Sequence, residues 1–471
     1  MIHRQAGFPF ILWSSVLRQF GAFLVDGLGI GDERVCSVSW MSPSAFRLLG
    51  LVLLAGLGSD SWTGDAQSLP AATYCVSPAQ CASLCRSFVE KGRTAEDFIR
   101  QASFELGPPN VFELPRGSEP PPVVDPTNLY SESRAGNLSP AVAEALPRVY
   151  VPNLQTGEVD VIDPATFAVV DHFAAGRSPQ HIVPSWDLQT LWVTGDESLP
   201  RARGSLVPID PKTGKPGTPV PVDDAYNMYF TPDGRSAIVV AEAMRRLEFR
   251  DPHTMALQGY INAPQCSGIN HADFSIDNRY AIFTCEFNNS VVKIDLDRHE
   301  LVGTLQLAAG HMPQDIRVAP DGSAFFVADM IGDGVVVIDG DTMRETGFIS
   351  TGVGTHGLYP SRDGTKLYAT NRGTHNLAGV KRGAGSISVI DFKTREVVAT
   401  WPIPNGGSPD MGNISADGKT LWLSARYDGA VYAIDTTSGD VRTIPVGGMP
   451  HGLTAWPQPG RYSLGHTGNM R

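Results

Sequence analysis

One pattern recurs seven times over residues 148–471 and constrains the fold more than any other feature of the chain. Each copy contains a turn built on Asp, then a strand rich in Val, Ile, Trp and Phe, then a strand that ends in Ile-Asp or Arg-Asp. The first turn is marked by Asp187, Asp233, Asp277, Asp321, Asp363, Asp417 and, in a degenerate copy, Gln458. Successive members lie about 41 to 54 residues apart, the length of one four-stranded propeller blade. The repeat predicts an all-β, seven-bladed β-propeller.

The two ends of the repeat region complement each other. The segment that begins RVYVPN at Arg148 supplies three outer strands of a blade but has no inner strand before it. The segment MPHGLTAWPQPG, near the C-terminus, supplies an inner strand and little after it. Pairing the two would close the ring and leave no sheet edge exposed. We therefore expect one blade to combine N-terminal and C-terminal strands.

Composition supports this fold and argues against some partners. The chain has 471 residues, of which 42% are hydrophobic and 18% charged, and its 49 Gly and 36 Pro indicate many tight turns. The formal net charge of −12 opposes binding to a nucleic-acid backbone, because that affinity draws on a basic surface. No nucleic-acid partner is expected.

The N-terminal 66 residues resemble a leader rather than a domain. Residues 1–40 are interpreted as an extension upstream of the true start at Met41, and residues 41–66 as a signal peptide with an apolar run from Leu48 to Leu57. That run is too short to span a bilayer comfortably, although an uncleaved anchor is the alternative. We expect a secreted, periplasmic or cell-envelope protein without a stable membrane span after cleavage.

Residues 67–147 are predicted to hold a cysteine-containing helical segment over 71–105 and a Pro-rich linker that wraps the surface over 108–147. Cysteines of an exported protein are more often bonded than free. Cys266 and Cys285 fall within one blade, so a disulfide between them is plausible. The chain contains neither CxxC nor CxxCH, so no covalent c-type haem is encoded.

The segments RVYVPN, LWVTGD, LYATNR and LWLSAR, each followed by a strand that ends in a hydrophobic-Asp pair, resemble the YVTN repeat of the YncE-like seven-bladed β-propellers. The resemblance covers residues 148 to about 460. It implies a fold and not one activity, because the relatives of this superfamily include binding proteins, cell-surface proteins, sugar lactonases and haem d1-binding domains.

Inner strands of a propeller line the central channel, so the residues at their starts should crowd one mouth. Aligned on the turn Asp, one ring position holds Gln180, Tyr226, Asn270, Gln314, His356, Asp410 and His451, and the next holds His181, Asn227, His271, Asp315, Gly357, Met411 and Gly452. Second strands end close to the same mouth, at Asn153, Glu242, Glu286, Asp329, Asn371, Arg372 and Arg426. The predicted ligand-binding residues are His181, Tyr226, Asn227, His271, Asp315, His356, Arg372, Asp410, Arg426 and His451.

This ring carries both imidazoles and carboxylates, which suit different divalent metals. A metal ion could be held by some of His181, His271, Glu286, Asp315 and His356. The alternatives are histidines tied to backbone carbonyls as part of the repeat, or a metal-free polar pocket in which Tyr226, Arg372 and Arg426 contact an anion or a sugar.

The function predicted from these residues is binding of a ligand, metal or protein partner at the channel mouth. As an alternative, a lactonase-like hydrolase could use Glu242, Glu286, Asp329 and His271 around a metal, and an oxidoreductase could use the four ring histidines for a cofactor. The sequence has no GxSxG nucleophile motif and no P-loop.

Two segments leave the repeat pattern. The Gly-rich insertion between Asn371 and Ser386 could carry function or be a tolerated surface loop. The tail GRYSLGHTGNMR, which contains His466, is expected to pack on one propeller face, with entry into the channel mouth as the alternative.

Overall fold

The structure is a computed structural model that describes residues 119–196, 204–308, 310–466 and 468–471, together with two short strands, Val25–Asp26 and Ser37–Val38. Those two strands pair antiparallel within a first unit, Met1–Pro109, and the propeller belongs to a second unit, Asn110–Arg471. The predicted signal peptide and the predicted helical segment over 71–105 lie outside the described residues.

Seven antiparallel sheets make up the second unit, and each is numbered here as a blade with its strands given from the channel outward. Blade 1 has Thr454–Trp456, Arg148–Asn153, Glu158–Asp163 and Ala168–Ala174. Blade 2 has Pro179–Pro184, Leu191–Asp196 and Gly204–Asp210, and both Lys215–Pro216 and Val220–Val222 pair with its third strand. Blade 3 has Asn227–Phe230, Ala237–Ala241, Arg246–Arg250 and Leu257–Asn262. Blade 4 has Ile269–Phe274, Tyr280–Cys285, Ser290–Asp295 and Glu300–Gln306.

The remaining three blades repeat this arrangement. Blade 5 has Pro313–Val318, Phe325–Asp329, Gly334–Asp339 and Arg344–Ser350. Blade 6 has Thr355–Pro360, Lys366–Asn371, Ser386–Asp391 and Glu396–Pro402. Blade 7 has Pro409–Ile414, Thr420–Ala425, Ala430–Asp435 and Val441–Pro445. The predicted seven-bladed fold is confirmed.

Blade 1 closes the ring as the sequence predicts. Thr454–Trp456 is its inner strand and pairs antiparallel with Arg148–Asn153, in a register that sets Thr454 opposite Tyr150. The two ends of the repeat region therefore complete one sheet, and the ring has no unpaired inner edge at the closure.

The repeated Asp residues cap the turns between strands. Before the second strand of blade 3, Asp233 Oδ1 accepts hydrogen bonds from Thr231 Oγ1 at 2.6 Å and from the Arg235 N–H at 3.0 Å. After the third strand of blade 6, Asp391 Oδ1 accepts the N–H groups of Lys393 and Thr394, each at 3.0 Å. A short side-chain acceptor replaces a backbone partner in these turns, which explains why the repeat places Asp there.

Neighbouring sheets pack face to face, and the apolar core lies between them. Between blades 3 and 4, for example, the fully buried Phe249, Phe274 and Phe283 belong to one cluster. The same cluster includes the Cys266–Cys285 disulfide, so the bridge predicted within blade 4 is present. Inner and second strands such as Ile269–Phe274 and Tyr280–Cys285 are buried along their whole length, as expected for a sheet packed on both faces.

Residues 119–147 run across the side of the propeller that holds the Asp233-type turns. They contain two short 3-10 helices, Ser131–Ser133 and Pro140–Val142. Tyr130 is buried, and its hydroxyl donates to the Val318 carbonyl at 2.7 Å. Two further 3-10 turns, Glu286–Asn288 and Pro404–Gly406, lie elsewhere in the ring. In the described part of the chain, no helix has the length and apolar character needed to cross a bilayer.

The C-terminal tail enters the channel, which is the second of the two placements considered from the sequence. The Phe230 N–H donates to the Leu464 carbonyl at 3.0 Å, and the His466 N–H donates to the Met228 carbonyl at 3.1 Å. The chain then turns back, and the Leu464 N–H meets the Asn469 carbonyl at 2.8 Å. The tail is therefore a narrow hairpin laid along the inner strand of blade 3, with its tip inside the ring.

Candidate functional site

A β-bulge at the start of the inner strand turns two consecutive side chains toward the channel. In blade 4, Ile269 pairs with Cys285 and Ala272 pairs with Phe283, so Asn270 and His271 together face the single residue between Phe283 and Cys285. The register shifts at the same place in blades 2, 5, 6 and 7. Because a bulge redirects a side chain that would otherwise alternate away, both ring positions contribute to the site.

A hydroxyl on the second strand holds this bulge in four blades. Thr194 and Thr284 accept the N–H groups of His181 and His271, each at 3.1 Å. The equivalent pairs in blades 6 and 7 are Gly357 with Thr370 at 2.7 Å and Met411 with Ser424 at 3.2 Å. The Thr or Ser before the end of the second strand was visible in LWVTGD, LYATNR and LWLSAR, but its role was not predicted.

Three imidazoles meet inside the channel, and they are called the histidine cluster here: His181 of blade 2, His271 of blade 4 and His466 of the tail. Their potential ligand atoms all lie within 4.8 Å of one another, and all three side chains are fully buried. The His181 ring lies 5.4 Å from the His271 ring and 5.0 Å from the His466 ring, between centroids. The sequence predicted two of the three members and missed His466 as a site residue, since the tail has no repeat to align.

Two glycines make the close approaches that this cluster needs. A Cβ atom on Gly452 would lie 2.0 Å from His181 Nδ1, so the absence of a side chain there leaves room for the imidazole. Gly465, next to His466, has a φ of +97°, and a Cβ on it would lie 2.5 Å from the Tyr229 Cα. The tail can follow the inner strand of blade 3 this closely only with glycine at that position.

Asn227 connects two members of the cluster. Its Oδ1 accepts the Met228 N–H at 2.8 Å, which directs its amide nitrogen toward the rings. That nitrogen lies 3.1 Å from His271 Nδ1 and 3.2 Å from His466 Nδ1. An amide donor satisfies an unprotonated Nδ1, so each neutral ring carries its proton on Nε2 in this arrangement.

A second group of contacts, called the Asp410 network here, joins blades 6, 7 and 1. Asp410 Oδ1 accepts Arg372 Nε at 2.7 Å and lies 3.0 Å from His356 Nδ1, without hydrogen-bond alignment to that ring. Asp410 Oδ2 lies 2.8 Å from His451 Nδ1 and 3.8 Å from Arg426 Nη1. With Nδ1 donating to Asp410, His451 offers its Nε2 to the Tyr226 hydroxyl at 3.4 Å.

Burial and neighbouring charge keep the channel imidazoles neutral. Burial, followed by the surrounding histidines, lowers the pKa of His181 and of His271 well below the usual value, and burial also lowers the pKa of His466. Burial and the nearby arginines lower the pKa of His356 to about 4 and that of His451 to about 3. Burial opposes ionisation of Asp410, but Arg372 and His451 outweigh it and hold its pKa well below the usual range.

The other metal ligands proposed from the sequence make different contacts. Asp315 Oδ1 pairs with the buried Arg317 at 2.8 Å, and its Oδ2 accepts the Leu358 N–H at 2.9 Å, which ties blade 5 to blade 6. Glu286 Oε2 accepts Asn270 Nδ2 at 3.0 Å, and His356 belongs to the Asp410 network. Within the described residues, none of Glu286, Asp315 and His356 joins the group that could hold a metal.

The residues considered for a lactonase do not surround the histidine cluster as one group. Asp329 Oδ1 accepts the N–H groups of Met312 at 2.8 Å and Gly332 at 3.0 Å, and its Oδ2 contacts His311. Asp329 therefore organises a loop of blade 5. Glu242 lies with Glu286 among acidic side chains at the mouth, where burial and Glu286 raise its pKa.

The insertion of blade 6 is tied down on both sides. His375 Nε2 lies 2.7 Å from Asp333 Oδ1 in blade 5, and the Tyr427 hydroxyl of blade 7 donates to the Leu377 carbonyl at 3.1 Å. Lys381 Nζ donates to the Gly406 carbonyl at 2.7 Å. The Lys381 side chain is therefore held against a neighbouring loop of the mouth face.

A family model described as YNCE-like beta-propeller matches residues 122–459. The chain belongs to the YncE-like β-propeller family. The resemblance read from the YVTN-type segments is thus confirmed, and the family match begins before the first strand, in the segment that crosses the propeller. No curated protein matches the chain.

Solved structures share the propeller fold with this YncE-like protein. A candidate 6-phosphogluconolactonase from Bacteroides uniformis has a TM-score of 0.53 and 17% identity, over 65% of this chain and 98% of its own. A functionally unknown protein from Desulfotomaculum acetoxidans also has a TM-score of 0.53 and 17% identity, over 65% of this chain and 98% of its own. Hydrazine synthase from Kuenenia stuttgartiensis aligns with a TM-score of 0.40 and 20% identity, over 46% of this chain and 65% of its own. At 17% identity, the two similarities with a TM-score of 0.53 show the fold alone.

Proposed function

We propose that this YncE-like propeller binds a transition-metal ion in its channel through His181, His271 and His466. The observation that carries the proposal is the convergence of three fully buried imidazoles whose ligand atoms lie within 4.8 Å of one another. Imidazole nitrogens suit zinc, copper, iron and nickel. The third ligand comes from the tail, so the site is complete only when the tail occupies the channel.

Unsatisfied ring nitrogens favour a metal over histidines that serve the core alone. Both nitrogens of His181 and the Nε2 of His271 are buried and have no hydrogen-bond partner among the residues that the structure describes. A buried polar atom left without a partner costs about 1 to 3 kcal/mol. A cation bound through one nitrogen of each ring would supply a partner for His181, and binding at His271 Nε2 would require the proton of that ring to move to Nδ1.

The protonation state of the cluster fits the same role. A metal binds the lone pair of a neutral imidazole, and a protonated ring must first lose its proton. The pKa values of His181, His271 and His466 are all lowered, mainly by burial, so the rings are ready to bind without proton release at neutral pH. Such a metal would act as a Lewis acid or a redox centre for whatever ligand enters from the mouth.

The proposal is tested by elemental analysis of the full-length chain, purified without a chelator or a polyhistidine tag. We expect about one equivalent of a transition metal in the native protein and in the control His253→Ala, because His253 is exposed in blade 3. The double variant His181→Ala/His271→Ala should lose it. Should the native protein neither retain metal nor bind added Zn²⁺ more tightly than the double variant, the proposal fails.

We also propose that the protein is exported, as its leader-like N-terminus predicts. The buried Cys266–Cys285 disulfide supports this, because such bonds persist in oxidising compartments. Maleimide labelling of denatured protein from acid-quenched cells tests it. Export predicts that Cys266 and Cys285 become labelled only after reduction, whereas labelling without reductant would contradict it.

A further inference from the structure

Four carboxyl side chains lie on three consecutive blades at the same mouth of the channel, and they are called the acidic rim here. Asp196 ends the second strand of blade 2, and Asp224 lies just before the inner strand of blade 3. Glu242 and Glu286 follow the second strands of blades 3 and 4. The rim therefore occupies one side of the mouth, across from the arginines of the Asp410 network.

Three of the four rim carboxyls are buried, Glu242 is half-buried, and the four act on one another. Asp196, Asp224 and Glu286 are 9%, 1% and 5% exposed. Burial and then Asp196 raise the pKa of Asp224 to about 7, and burial and then Glu286 raise that of Glu242. Arg426 opposes this rise in Asp196, Glu242 and Glu286, and Arg372 also opposes it in Glu286, so two guanidinium groups face four acids. The rim thus has a deficit of positive charge.

Unpartnered oxygens on these blades show what kind of group is missing. Glu286 Oε1 and Asp224 Oδ1 are buried and receive no hydrogen bond from the described part of the chain. Two neutral amide oxygens share this condition, Gln180 Oε1 and Asn270 Oδ1, on side chains that are 7% and 0% exposed. Their amide nitrogens donate to Asp196 and Glu286, so both amides adjoin the rim. All four unpartnered atoms are hydrogen-bond acceptors, so a ligand that carries hydrogen-bond donors would satisfy them.

An aromatic ring lies among these acceptors. Tyr226 occupies the channel position in blade 3 that Gln180 and Asn270 occupy in blades 2 and 4, and it is 9% exposed. Burial, then Glu286 and Glu242, raise the pKa of its hydroxyl. Carboxylates beside an aromatic face suit an ammonium group, which combines N–H donors with attraction to the ring.

We propose that the acidic rim binds the ammonium group of a small organic amine at the channel mouth. A metal ion fits this place less well, because among the described residues the side chains that converge within 4.8 Å are those of the histidine cluster and not the rim carboxyls. The amine site uses different residues from the metal site, so it goes beyond the proposed function and does not depend on it.

Isothermal titration calorimetry on the full-length chain tests this proposal, with 1,4-diaminobutane as the probe. Succinate has the same chain length and the opposite charge, and 1,4-butanediol is the neutral equivalent. Titrations are made on protein freed of metal with a chelator, so that the amine cannot bind as a metal ligand. We expect the diamine to bind and the other two probes not to bind.

Glu286→Gln should weaken diamine binding by about 10- to 100-fold, because a charge-assisted hydrogen bond is replaced by a neutral one. Asp196→Asn is a second variant in case the first does not fold, and Glu396→Gln, exposed on blade 6, is the matched control. The metal-site double variant His181→Ala/His271→Ala should still bind the diamine. The proposal is overturned if the diamine does not bind, or if succinate binds as strongly as the diamine. It is also overturned if the native protein and the rim variants bind the diamine with equal affinity, whatever the metal content.

Discussion

The imidazole of His466 lies 4.6 Å from that of His271 between ring centroids, with an angle of 56° between their planes. One residue belongs to the inner strand of blade 4 and the other to the tip of the C-terminal hairpin. Asn227 of blade 3 contacts both rings. A segment outside the repeat therefore completes a site that the repeat begins.

Replacing His466 should abolish tight metal binding. His466→Ala removes one of three ligands, and we expect metal affinity to fall by more than about 100-fold, since residues that only orient a ligand already contribute about 10- to 100-fold. Competition with a chromophoric chelator for Zn²⁺ measures the change. His172→Ala, on the outer strand of blade 1, is the control. An affinity equal to that of the control would exclude the tail as a source of a ligand.

Replacing Asn227 by Asp should strengthen metal binding. The new carboxylate would accept hydrogen bonds from the Nδ1–H groups of His271 and His466, which frees Nε2 of each ring as a ligand. The present amide donates to Nδ1 and favours the opposite tautomer. We expect a gain of about tenfold in the same competition assay, as seen for carboxylates that orient histidine ligands. Weaker binding by Asn227→Asp than by the native chain would show that the metal binds through Nδ1.

Removing the hydroxyl that holds a bulge should destabilise the fold. Thr284→Val keeps the side-chain shape but leaves the buried His271 N–H without its acceptor. The free energy of unfolding should fall by about 1 to 3 kcal/mol in urea titrations. Thr254→Val in an exposed turn of blade 3 should change it by less than about 0.5 kcal/mol. Equal effects of the two changes would mean that the bulge does not need the hydroxyl.

Asp224 should make stability depend on pH. Burial and Asp196 raise its folded pKa to about 7 from an ordinary 3.8, so the folded state binds a proton that the unfolded state has lost. This contribution is fully present below pH 4 and is lost as the pH rises to 7, at up to about 1.4 kcal/mol per pH unit. Asp224→Asn should therefore gain stability relative to the native protein across this window. Urea titrations of the two proteins between pH 4 and pH 8 measure the difference in unfolding free energy, and a difference that stays constant over this range would contradict the prediction.

Removing the charge of Asp410 should strongly destabilise the fold. It pairs with Arg372, which is 1% exposed, so Asp410→Asn would leave a buried guanidinium without its counter-charge. We expect a loss of about 3 to 5 kcal/mol in unfolding free energy. Asp417→Asn in an exposed turn is the control. A loss no larger than that of the control would show that Arg372 finds another partner.

The channel-facing positions could be predicted because every blade repeats the same strands and turns at nearly the same spacing. Aligning the turn Asp residues was enough to place His181, His271, His356, Asp410 and His451 in one channel, where ring contacts now connect them. The same alignment could not separate a carboxylate that faces a ligand from one that ties two blades together. Asp315 shares its ring position with His181 and His271, yet its oxygens pair with Arg317 and the Leu358 N–H, and Oδ1 also lies 3.6 Å from His466 Nε2.

The sequence by itself determined the number of blades, the closure of blade 1 and the residues that ring the mouth. These features follow from local patterns, since turn chemistry and strand periodicity repeat with one period and each copy folds alike. Only the tertiary structure decided that the tail enters the channel and that His466 joins His181 and His271. That placement depends on hydrogen bonds between segments far apart in the chain and on the space left by Gly452 and Gly465, neither of which has a periodic signal in the sequence.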